Sequence, residues 1–436
     1  MTHEPSGNPE VVFITHAFPP AGGSGVQRIA KFARYLPESG IQASVITAKN
    51  VSKTTADSSL LEGLEHLEVI RSLSLDPMFI ADLFKSRSAK TVLGAEKASV
   101  AIRGKNILFL MLLKIRDYCR LPDQYIGWIP FAFFSGVKHI KTQKKPVIVA
   151  SLPTYTNGLL GYFLSKATGA PLILDFRDSW TDDPYLIFPT KFHRWVHTKL
   201  ENRILGHAQH LVVYGDWLKD IYDKRYPSIP TTVILNGYDI CDFPEKIFSD
   251  GESKKIRLAY SGSLFEYHNE FVELLFATIS LLPSDLRNQL QLVFAGDIQL
   301  TSFDELVEKY GLRSSVVKLG YVKHSEALSL LLSADGLLFT IPKGDTSSFT
   351  GKIFEYLGAR KPIISFVCAH GLGGKLLSEF GHSTWLIDYD AARAKEVFSG
   401  LITSISEEMP YDAGLYAKIE RKGQAADLAR IVKGIA

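Results

Sequence analysis

The chain has 436 residues, with 49 Lys and Arg against 46 Asp and Glu, which leaves a net charge of +3. So small a net charge gives no argument for a nucleic-acid partner. A hydrophobic fraction of 46% excludes a globally disordered chain, and the length predicts two or three domains with large cores.

Three cysteines lie far apart and follow no metal-ligand spacing, and the histidines do not cluster, so no metal is expected. Residues 1–10 are polar, and no apolar run reaches the roughly 20 residues that span a bilayer. We therefore expect a cytoplasmic protein. The alternative is a peripheral protein on the inner face of the cell membrane.

Short apolar runs alternate with amphipathic stretches along the first half of the chain. The predicted strands are 11–15, 43–47, 67–70, 146–151, 172–175 and 210–214. The second half repeats the pattern, with predicted strands at 257–262, 292–296, 316–320, 336–340 and 362–367. Strands separated by helical stretches predict parallel, doubly wound sheets, whose ligands bind outside the carboxyl ends of the strands. An Asn-Gly turn within 233–239, followed by a polar stretch, predicts a domain boundary.

The segment 79–120 carries nine Lys and Arg against three Asp and Glu, interleaved with large apolar residues. A basic amphipathic segment of this kind can lie on an anionic membrane. The alternative is a helical insertion packed on the first domain with a solvated basic face.

The segment 350–364 reads Thr-Gly-Lys-Ile-Phe-Glu-Tyr-Leu-Gly-Ala-Arg-Lys-Pro-Ile-Ile. It predicts a short helix with Lys352 in its first turn, where the helix end and the amine attract phosphate. Glu355, one turn later on the same side, can accept hydrogen bonds from a ribose. The pattern therefore predicts a nucleotide site; the alternative is an ordinary amphipathic helix with a solvated Lys and Glu.

A glycine-rich loop, Phe-Pro-Pro-Ala-Gly-Gly-Ser-Gly, occupies 18–25 between a predicted strand and a predicted helix. Gly22 and Gly23 would let the backbone approach an anion closely. The spacing is not that of a dinucleotide-binding Rossmann loop. The alternative is a tight strand-to-helix turn without a ligand.

The predicted strand at 172–175 ends in a polar cluster formed by Asp175, Arg177, Asp178 and Trp180. Carboxylates accept from sugar hydroxyls, arginine donates to them, and an indole can stack on a sugar ring. The alternative is an internal ion pair of Arg177 with Asp175 or Asp178 that fixes the loop. Sugar binding and an internal ion pair are compatible with each other.

In this order and spacing the motifs resemble the retaining GT-B glycosyltransferases of family 4, also called group 1. That family typically carries Pro-Ser-Lys-Leu-Phe-Glu-Tyr-Leu where this chain has 350–357, and Phe-Pro-Pro-x-x-Gly-Gly in its N-terminal loop. A subgroup carries Asp-Phe-Arg-Asp-Pro-Trp-Thr where this chain has 175–181, and Pro-Asp-x-x-x-Gly-Trp close to 122–128. The resemblance covers most of the chain.

The resemblance implies an α/β protein of GT-B architecture, with two Rossmann-like doubly wound parallel-sheet domains facing a central cleft. The implied acceptor-binding domain is 1–235, joined by a C-terminal crossing helix at about 415–436, and the implied nucleotide-sugar-binding domain is 236–414. The implied reaction moves a sugar from a nucleotide diphosphate sugar, such as a UDP-sugar, to an acceptor hydroxyl with retention and without a metal. Glycan, lipid-linked or small-molecule acceptors, as in polysaccharide biosynthesis, are the implied partners.

By the same resemblance, Glu355 binds the donor ribose and Lys352 lies near the diphosphate. The other implied donor contacts are Gly22, Gly23, Gly262, Ser263, Tyr321, Thr350 and Gly351. The implied acceptor-side residues are Arg28, Trp128, Asp175 and Trp180. The implied catalytic residues are Asp178, Arg177 and Lys352.

Two departures from the family pattern stand out. Ser263 occupies the place of a phosphate-binding arginine, and Ser347 that of a second glutamate. The diphosphate charge is then left to Lys352, to backbone amides, and to Arg28 or His268. The missing arginine keeps open one rival, a non-catalytic GT-B partner subunit. A nucleotide-sugar epimerase of the same fold is a separate rival.

Overall fold

A computed structural model describes residues 7–22, 24–49, 58–75, 121–183, 186, 188–244, 255–347, 350–405, 409 and 411–436. The chain forms two compact units. Unit 1 comprises Met1–Asn236 with Arg421–Ala436, and unit 2 comprises Gly237–Glu420. The predicted basic segment 79–120 lies outside the described residues.

Unit 1 is built on a parallel sheet of seven strands. In chain order they are β1 (Glu10–Ile14), β2 (Gln42–Ala48), β3 (Glu68–Ser72), β4 (Pro146–Leu152), β5 (Leu172–Phe176), β6 (His210–Val213) and β7 (Thr231–Val233). The spatial order is β3-β2-β1-β4-β5-β6-β7, so the direction of winding reverses between β1 and β4. In the described residues before β7, its α-helices are α1 (Ser24–Tyr35), α2 (Ile129–Ile140), α3 (Tyr155–Thr168), α4 (Lys191–Leu205) and α5 (Asp216–Arg225).

Helices cover both faces of this sheet because successive strand residues point to opposite sides. Val11 and Phe13 face a core shared with α1 and with the C-terminal segment of the chain. Ile14, one residue further, faces α3, where Gly161 lets the helix lie close to the sheet. Gly136 does the same for α2, which packs against α3 through Leu164.

Unit 2 is built on a parallel sheet of five strands. They are β8 (Ile256–Ser261), β9 (Leu290–Ala295), β10 (Val316–Gly320), β11 (Gly336–Thr340) and β12 (Ile363–Phe366), in the spatial order β10-β9-β8-β11-β12. The helices of unit 2 are α6 (Asn269–Ser280), α7 (Ser284–Asn288), α8 (Phe303–Lys309), α9 (His324–Ser333), α10 (Lys352–Gly358), α11 (Leu372–Glu379), α12 (Ala391–Ser404) and α13 (Ala413–Ile419).

The C-terminal stretch is two helices where the sequence predicted one. After α13 the backbone of Glu420 is extended and bridges to Tyr238, and α14 (Arg421–Ile435) then begins. α14 belongs to unit 1, where its buried Leu428 and Val432 join the core beside α1. The predicted fold class, two doubly wound parallel α/β sheets, is confirmed.

Candidate functional site

The winding of the unit 2 sheet reverses between the neighbouring strands β8 and β11. Ligands of open α/β sheets bind outside the carboxyl ends of the strands at such a point. Gly262 directly follows β8, and the loop after β11 leads into α10, which begins at Lys352. The sequence-predicted nucleotide motif therefore lies at the place where the topology of this sheet favours a ligand.

Gly262 and Lys352 are in close contact. A Cβ atom at Gly262 would collide with Lys352 Nζ, and its φ of +141° is one that residues with a side chain rarely adopt. Gly296, after β9, is equally restricted because a Cβ there would collide with the Gly262 carbonyl. Two glycines thus leave space at the strand ends into which the lysine side chain extends.

The amine of Lys352 lies in a partly apolar setting. Its Nζ is 5.6 Å from the centroid of the Tyr260 ring. Burial lowers the pKa of Lys352, and the charge of Glu355 acts in the opposite direction. His268 is also buried, and burial together with the nearby Lys352 charge lowers the pKa of His268 to about 4. His268 is therefore neutral near pH 7 and adds no positive charge beside Lys352.

Tyr356 fastens α10 to the end of β8. Its hydroxyl accepts a hydrogen bond from the Ser261 backbone N–H at 2.7 Å, and its ring is buried against Phe339. A helix fixed at its middle holds Lys352 and Glu355 at a constant distance from the strand end. The sequence placed an apolar residue here but gave no sign of this bond.

Glu355 has a partner that the sequence analysis missed. Its Oε1 lies 2.9 Å from His324 Nε2, and both side chains are about a quarter exposed. His324 opens α9 after the turn that follows β10. In the sequence, His324 is only a polar residue at the start of a helix that follows the end of β10.

The other predicted donor residues of unit 2 lie around the same strand ends. Thr350 Oγ1 is buried and has no hydrogen-bond partner among the described residues, and Gly351 directly precedes α10. The Ser263 carbonyl accepts from the Tyr260 hydroxyl at 3.3 Å. Tyr321 is 86% exposed, so its ring is available to a ligand. Ser347, where relatives carry a second glutamate, donates its backbone N–H to Asp345 at 3.0 Å.

In unit 1 the glycine-rich loop meets the polar cluster that follows β5. A Cβ atom at Gly25 would collide with the guanidinium of Arg177, so the glycine lets that group lie against the start of α1. Arg177 Nε donates to the Leu152 carbonyl at 3.0 Å, and burial lowers the pKa of Arg177. Gly22 is half-buried in this loop, and Gly23 lies outside the described residues.

Asp178 lies beside Arg177 and has a perturbed pKa. Desolvation raises the pKa of this carboxyl to about 6, although the Arg177 charge opposes the shift and the Asp183 charge adds to it. The side chain still reaches solvent. A carboxyl with this pKa can exchange a proton near neutral pH, as acid–base groups do.

Arg28 and Asp175 form a buried ion pair within unit 1. Their shortest contact is 2.8 Å, and the two side chains are 0% and 1% exposed. Arg28 also donates to the carbonyls of Ile234 and Leu235 at 2.9 and 2.7 Å. This pair ties α1, β5 and the chain after β7 together. The sequence alternative paired Arg177 with Asp175 or Asp178, whereas Asp175 forms its ion pair with Arg28. Because Arg28 is committed to this pair within unit 1, it is not a free cation for a phosphate.

Trp180 and Trp128 are also fully buried. Trp180 stacks on Tyr155 at a centroid distance of 4.5 Å and donates to His197 Nδ1 at 3.0 Å. Trp128 donates to the Ser72 hydroxyl at 2.9 Å. Both indoles are enclosed within unit 1. A direct acceptor role for these residues stays a prediction.

Two further polar residues near the carboxyl ends of the unit 1 strands were given no role of their own in the sequence analysis, although Asp123 belongs to the motif at 122–128. His16 follows β1, is 3% exposed, and contacts Ser74 Oγ at 3.1 Å; burial lowers the pKa of His16 to about 4. The Asp123 carboxylate accepts a hydrogen bond from the backbone N–H of Thr156 at 2.8 Å and so caps the start of α3. Burial raises the pKa of Asp123. Their roles depend on contacts between distant segments that no local pattern indicates.

Solved structures resemble this chain over nearly its full length. The pneumococcal O-GlcNAc transferase GtfA, solved with UDP and GlcNAc, matches with a TM-score of 0.58 at 11% identity, covering 98% of this chain and 99% of that one. The sucrose-phosphate synthase of Thermosynechococcus elongatus matches with a TM-score of 0.52 at 16% identity, covering 98% and 94%. No protein-family model and no curated protein matches the sequence.

A third similar structure is a putative UDP-N-acetylglucosamine 2-epimerase from Listeria monocytogenes, with a TM-score of 0.55 at 11% identity, covering 98% and 96%. The chain therefore has the GT-B fold of nucleotide-sugar glycosyltransferases, and the resemblance seen in its sequence is confirmed at the level of the fold. The same fold also serves an epimerase, so fold alone does not assign the reaction.

The described ranges contain no group of His, Cys, Asp and Glu side chains arranged to hold a metal ion. Within those ranges no helix is both long and apolar enough to cross a bilayer.

Proposed function

We propose that this protein is a retaining glycosyltransferase that moves a sugar from a nucleotide diphosphate sugar to an acceptor hydroxyl. The single observation that carries the proposal is the contact of Lys352 with Gly262 at the winding reversal of the unit 2 sheet, one helical turn before Glu355. A partly buried cation at the strand ends suits a diphosphate, and a carboxylate that is about a quarter exposed beside it suits a ribose.

The donor is oriented by side chains and backbone amides of unit 2. Lys352 pairs with the diphosphate, the buried hydroxyl of Thr350 gains a partner in a phosphate oxygen, and Glu355 accepts from the ribose hydroxyls. Gly262, Ser263 and Gly351 contribute backbone amides near the phosphates, and the exposed Tyr321 lies where the base is expected. Ser263 supplies no cation, and the neutral His268 does not replace one. Lys352 is therefore the main positive charge that stabilises the leaving diphosphate.

In the chemical step the bond between the anomeric carbon and the diphosphate oxygen breaks. The acceptor oxygen forms its new bond on the same face of the sugar, and its proton passes to the departing phosphate oxygen. The protein positions both substrates and stabilises the developing negative charge. Arg177 and Asp178 are the unit 1 groups proposed to act in catalysis by orienting the acceptor, and Gly22 and Gly23 of the glycine-rich loop are proposed to contact the donor.

Binding and turnover test the proposal separately. Calorimetric titration with UDP-, GDP- and ADP-sugars is expected to give saturable binding of at least one donor, and binding of none would support a non-catalytic subunit. The bound donor is then incubated with an acceptor panel of lipid-linked glycans and simple sugars. New glycoside with the anomeric configuration of the donor is the expected product.

Epimerisation is the second candidate, because a putative epimerase shares the fold. Incubation of the labelled donor without an acceptor distinguishes the two activities. Recovery of an epimerised sugar from that incubation would overturn the transferase assignment.

A further inference from the structure

The outer face of α4 combines aromatic rings with basic side chains. We define the basic–aromatic face of α4 by its exposed basic and aromatic residues, which are Lys191, Phe192, Arg194, Trp195, Lys199 and Arg203. Lys191, Trp195, Lys199 and Arg203 follow one another at intervals of four, so they form one row along the helix. The only acidic residue of α4, Glu201, is fully buried and accepts a hydrogen bond from the Thr181 hydroxyl.

Two large rings on this face point into solvent. Phe192 is 60% exposed and Trp195 is 56% exposed, and the rings stack on each other at a centroid distance of 5.9 Å. The sequence has five tryptophans, and among them only Trp195 is exposed. Exposed aromatic pairs next to cations are unusual on a surface that meets only water and are typical of interaction sites.

The same character continues onto the neighbouring helix. Arg203 Nε donates to the Tyr162 hydroxyl of α3 at 3.1 Å, and the Arg203 guanidinium lies 5.8 Å from that ring centroid. Phe163 and Lys166 of α3 are exposed beside this contact. α3 contains neither Asp nor Glu, so the two helices together expose positive charge and no negative charge.

We propose that the basic–aromatic face of α4 docks unit 1 onto an anionic lipid bilayer. Lys and Arg side chains meet lipid phosphates, while Phe192 and Trp195 enter the boundary between headgroups and acyl chains, where indole rings are favoured. Single-stranded nucleic acid also binds cations and rings, but it lies in a groove in which successive bases stack. The row on α4 runs along the outside of a helix, which fits a planar surface better. The inference goes beyond the proposed transfer reaction and does not depend on it.

The full-length protein is tested by flotation with vesicles of pure phosphatidylcholine and of equal parts phosphatidylcholine and phosphatidylglycerol. The protein is expected to float with the anionic vesicles only, and binding should weaken as salt is raised. The tryptophan emission should shift to shorter wavelength on binding, and Trp195→Phe should abolish that shift. Trp217→Phe, at a half-buried position, should keep it.

Two double variants separate the aromatic and the electrostatic contributions. Phe192→Ser with Trp195→Ser removes the rings, and Lys191→Gln with Arg194→Gln removes two charges; each is expected to weaken partitioning about tenfold. Lys224→Gln with Lys433→Gln removes the same charge from exposed sites on α5 and α14 and is the matched control. All these positions are exposed, and unchanged thermal unfolding verifies folding of each variant.

Three results would overturn the proposal. The first is wild-type protein that floats with neither vesicle, or equally with both. The second is vesicle binding that survives both double variants, which would assign the contact to another segment, such as 79–120. The third is tighter binding of a labelled single-stranded oligonucleotide than of anionic vesicles, with the α4 variants losing the oligonucleotide.

Discussion

His324 Nε2 lies 2.9 Å from Glu355 Oε1, which joins the start of α9 to the glutamate of the nucleotide motif. A glutamate that is held by an imidazole keeps one oxygen in place and leaves the other free to accept from a ligand. The contact gives Glu355 a defined direction at the strand ends of unit 2. His324 and Glu355 are 31 positions apart in the sequence.

Glu355→Ala is expected to weaken donor binding by about 1–3 kcal/mol, because ribose hydroxyls lose their acceptor and His324 loses its partner. Titration calorimetry with the donor identified in the binding panel measures the change. Glu379→Ala, at an exposed glutamate closing α11, is the matched control and should bind normally. Equal affinity of Glu355→Ala and wild type would remove the ribose role.

Lys352→Met is expected to lower kcat/KM by about 100-fold or more, since it removes the main charge that stabilises the leaving diphosphate. Gly262→Ala should produce a similar loss with Lys352 still present, because the added methyl group displaces the lysine amine. Steady-state kinetics with the identified donor measure both.

Gly311→Ala is the control for Gly262→Ala. It also changes a glycine with positive φ, +64°, but its Cβ would meet no atom within 4 Å. Backbone strain should therefore lower the stability of both variants. Activity should fall only in Gly262→Ala, where the added carbon also displaces Lys352. Full activity of Gly262→Ala would contradict the assigned position of Lys352.

Gly25→Ala is expected to displace the Arg177 guanidinium and to raise the KM for the acceptor more than the KM for the donor. Arg177→Gln should do the same without altering α1. Gly434→Ala changes another helical glycine of unit 1, with no atom within 4 Å of the added carbon, and should be neutral or slightly stabilising. A loss of donor affinity alone would reassign Arg177 to the donor.

Asp175→Asn is expected to lower the free energy of unfolding by about 3–5 kcal/mol, because it leaves the guanidinium of Arg28 buried without a counter-charge. Urea denaturation measures this change. Asp304→Asn breaks the exposed pair with Lys318 and should cost about 1 kcal/mol or less. Normal stability of Asp175→Asn with lost activity would instead favour direct contact of Asp175 with an acceptor.

His382 is expected to make unit 2 less stable in acid. Burial lowers the pKa of His382 from 6.5 to about 4, and its Nδ1 accepts the Ile363 N–H at 3.3 Å. Between pH 6.5 and pH 4 the unfolded chain binds a proton that the folded chain does not. The stabilising contribution is therefore complete above pH 6.5 and is lost as the pH falls, by about 3 kcal/mol at most.

Urea midpoints measured between pH 7 and pH 4 test this dependence for wild type and His382→Asn. The asparagine oxygen can still accept from Ile363 but does not titrate, so its stability should fall less steeply with decreasing pH. Parallel curves for the two proteins would show that His382 contributes no proton to acid unfolding.

The nucleotide motif could be located from the sequence because its information is local. A lysine and a glutamate three residues apart on a short helix, and apolar runs that end in glycine, define a strand-end site without any knowledge of distant contacts. The same local patterns predicted both parallel sheets.

Only the tertiary structure decided which polar residues are enclosed and which remain available. Trp128 and Trp180 form part of local motifs that suit a sugar ring, yet packing against Ser72 and Tyr155 encloses them completely. Burial and ion pairing depend on segments that are far apart in the chain, as in the bond between Arg28 and Asp175, 147 positions apart. The sequence by itself therefore determined the fold class and predicted a nucleotide motif, while long-range packing determined the partners and pKa shifts of the polar side chains in the two units.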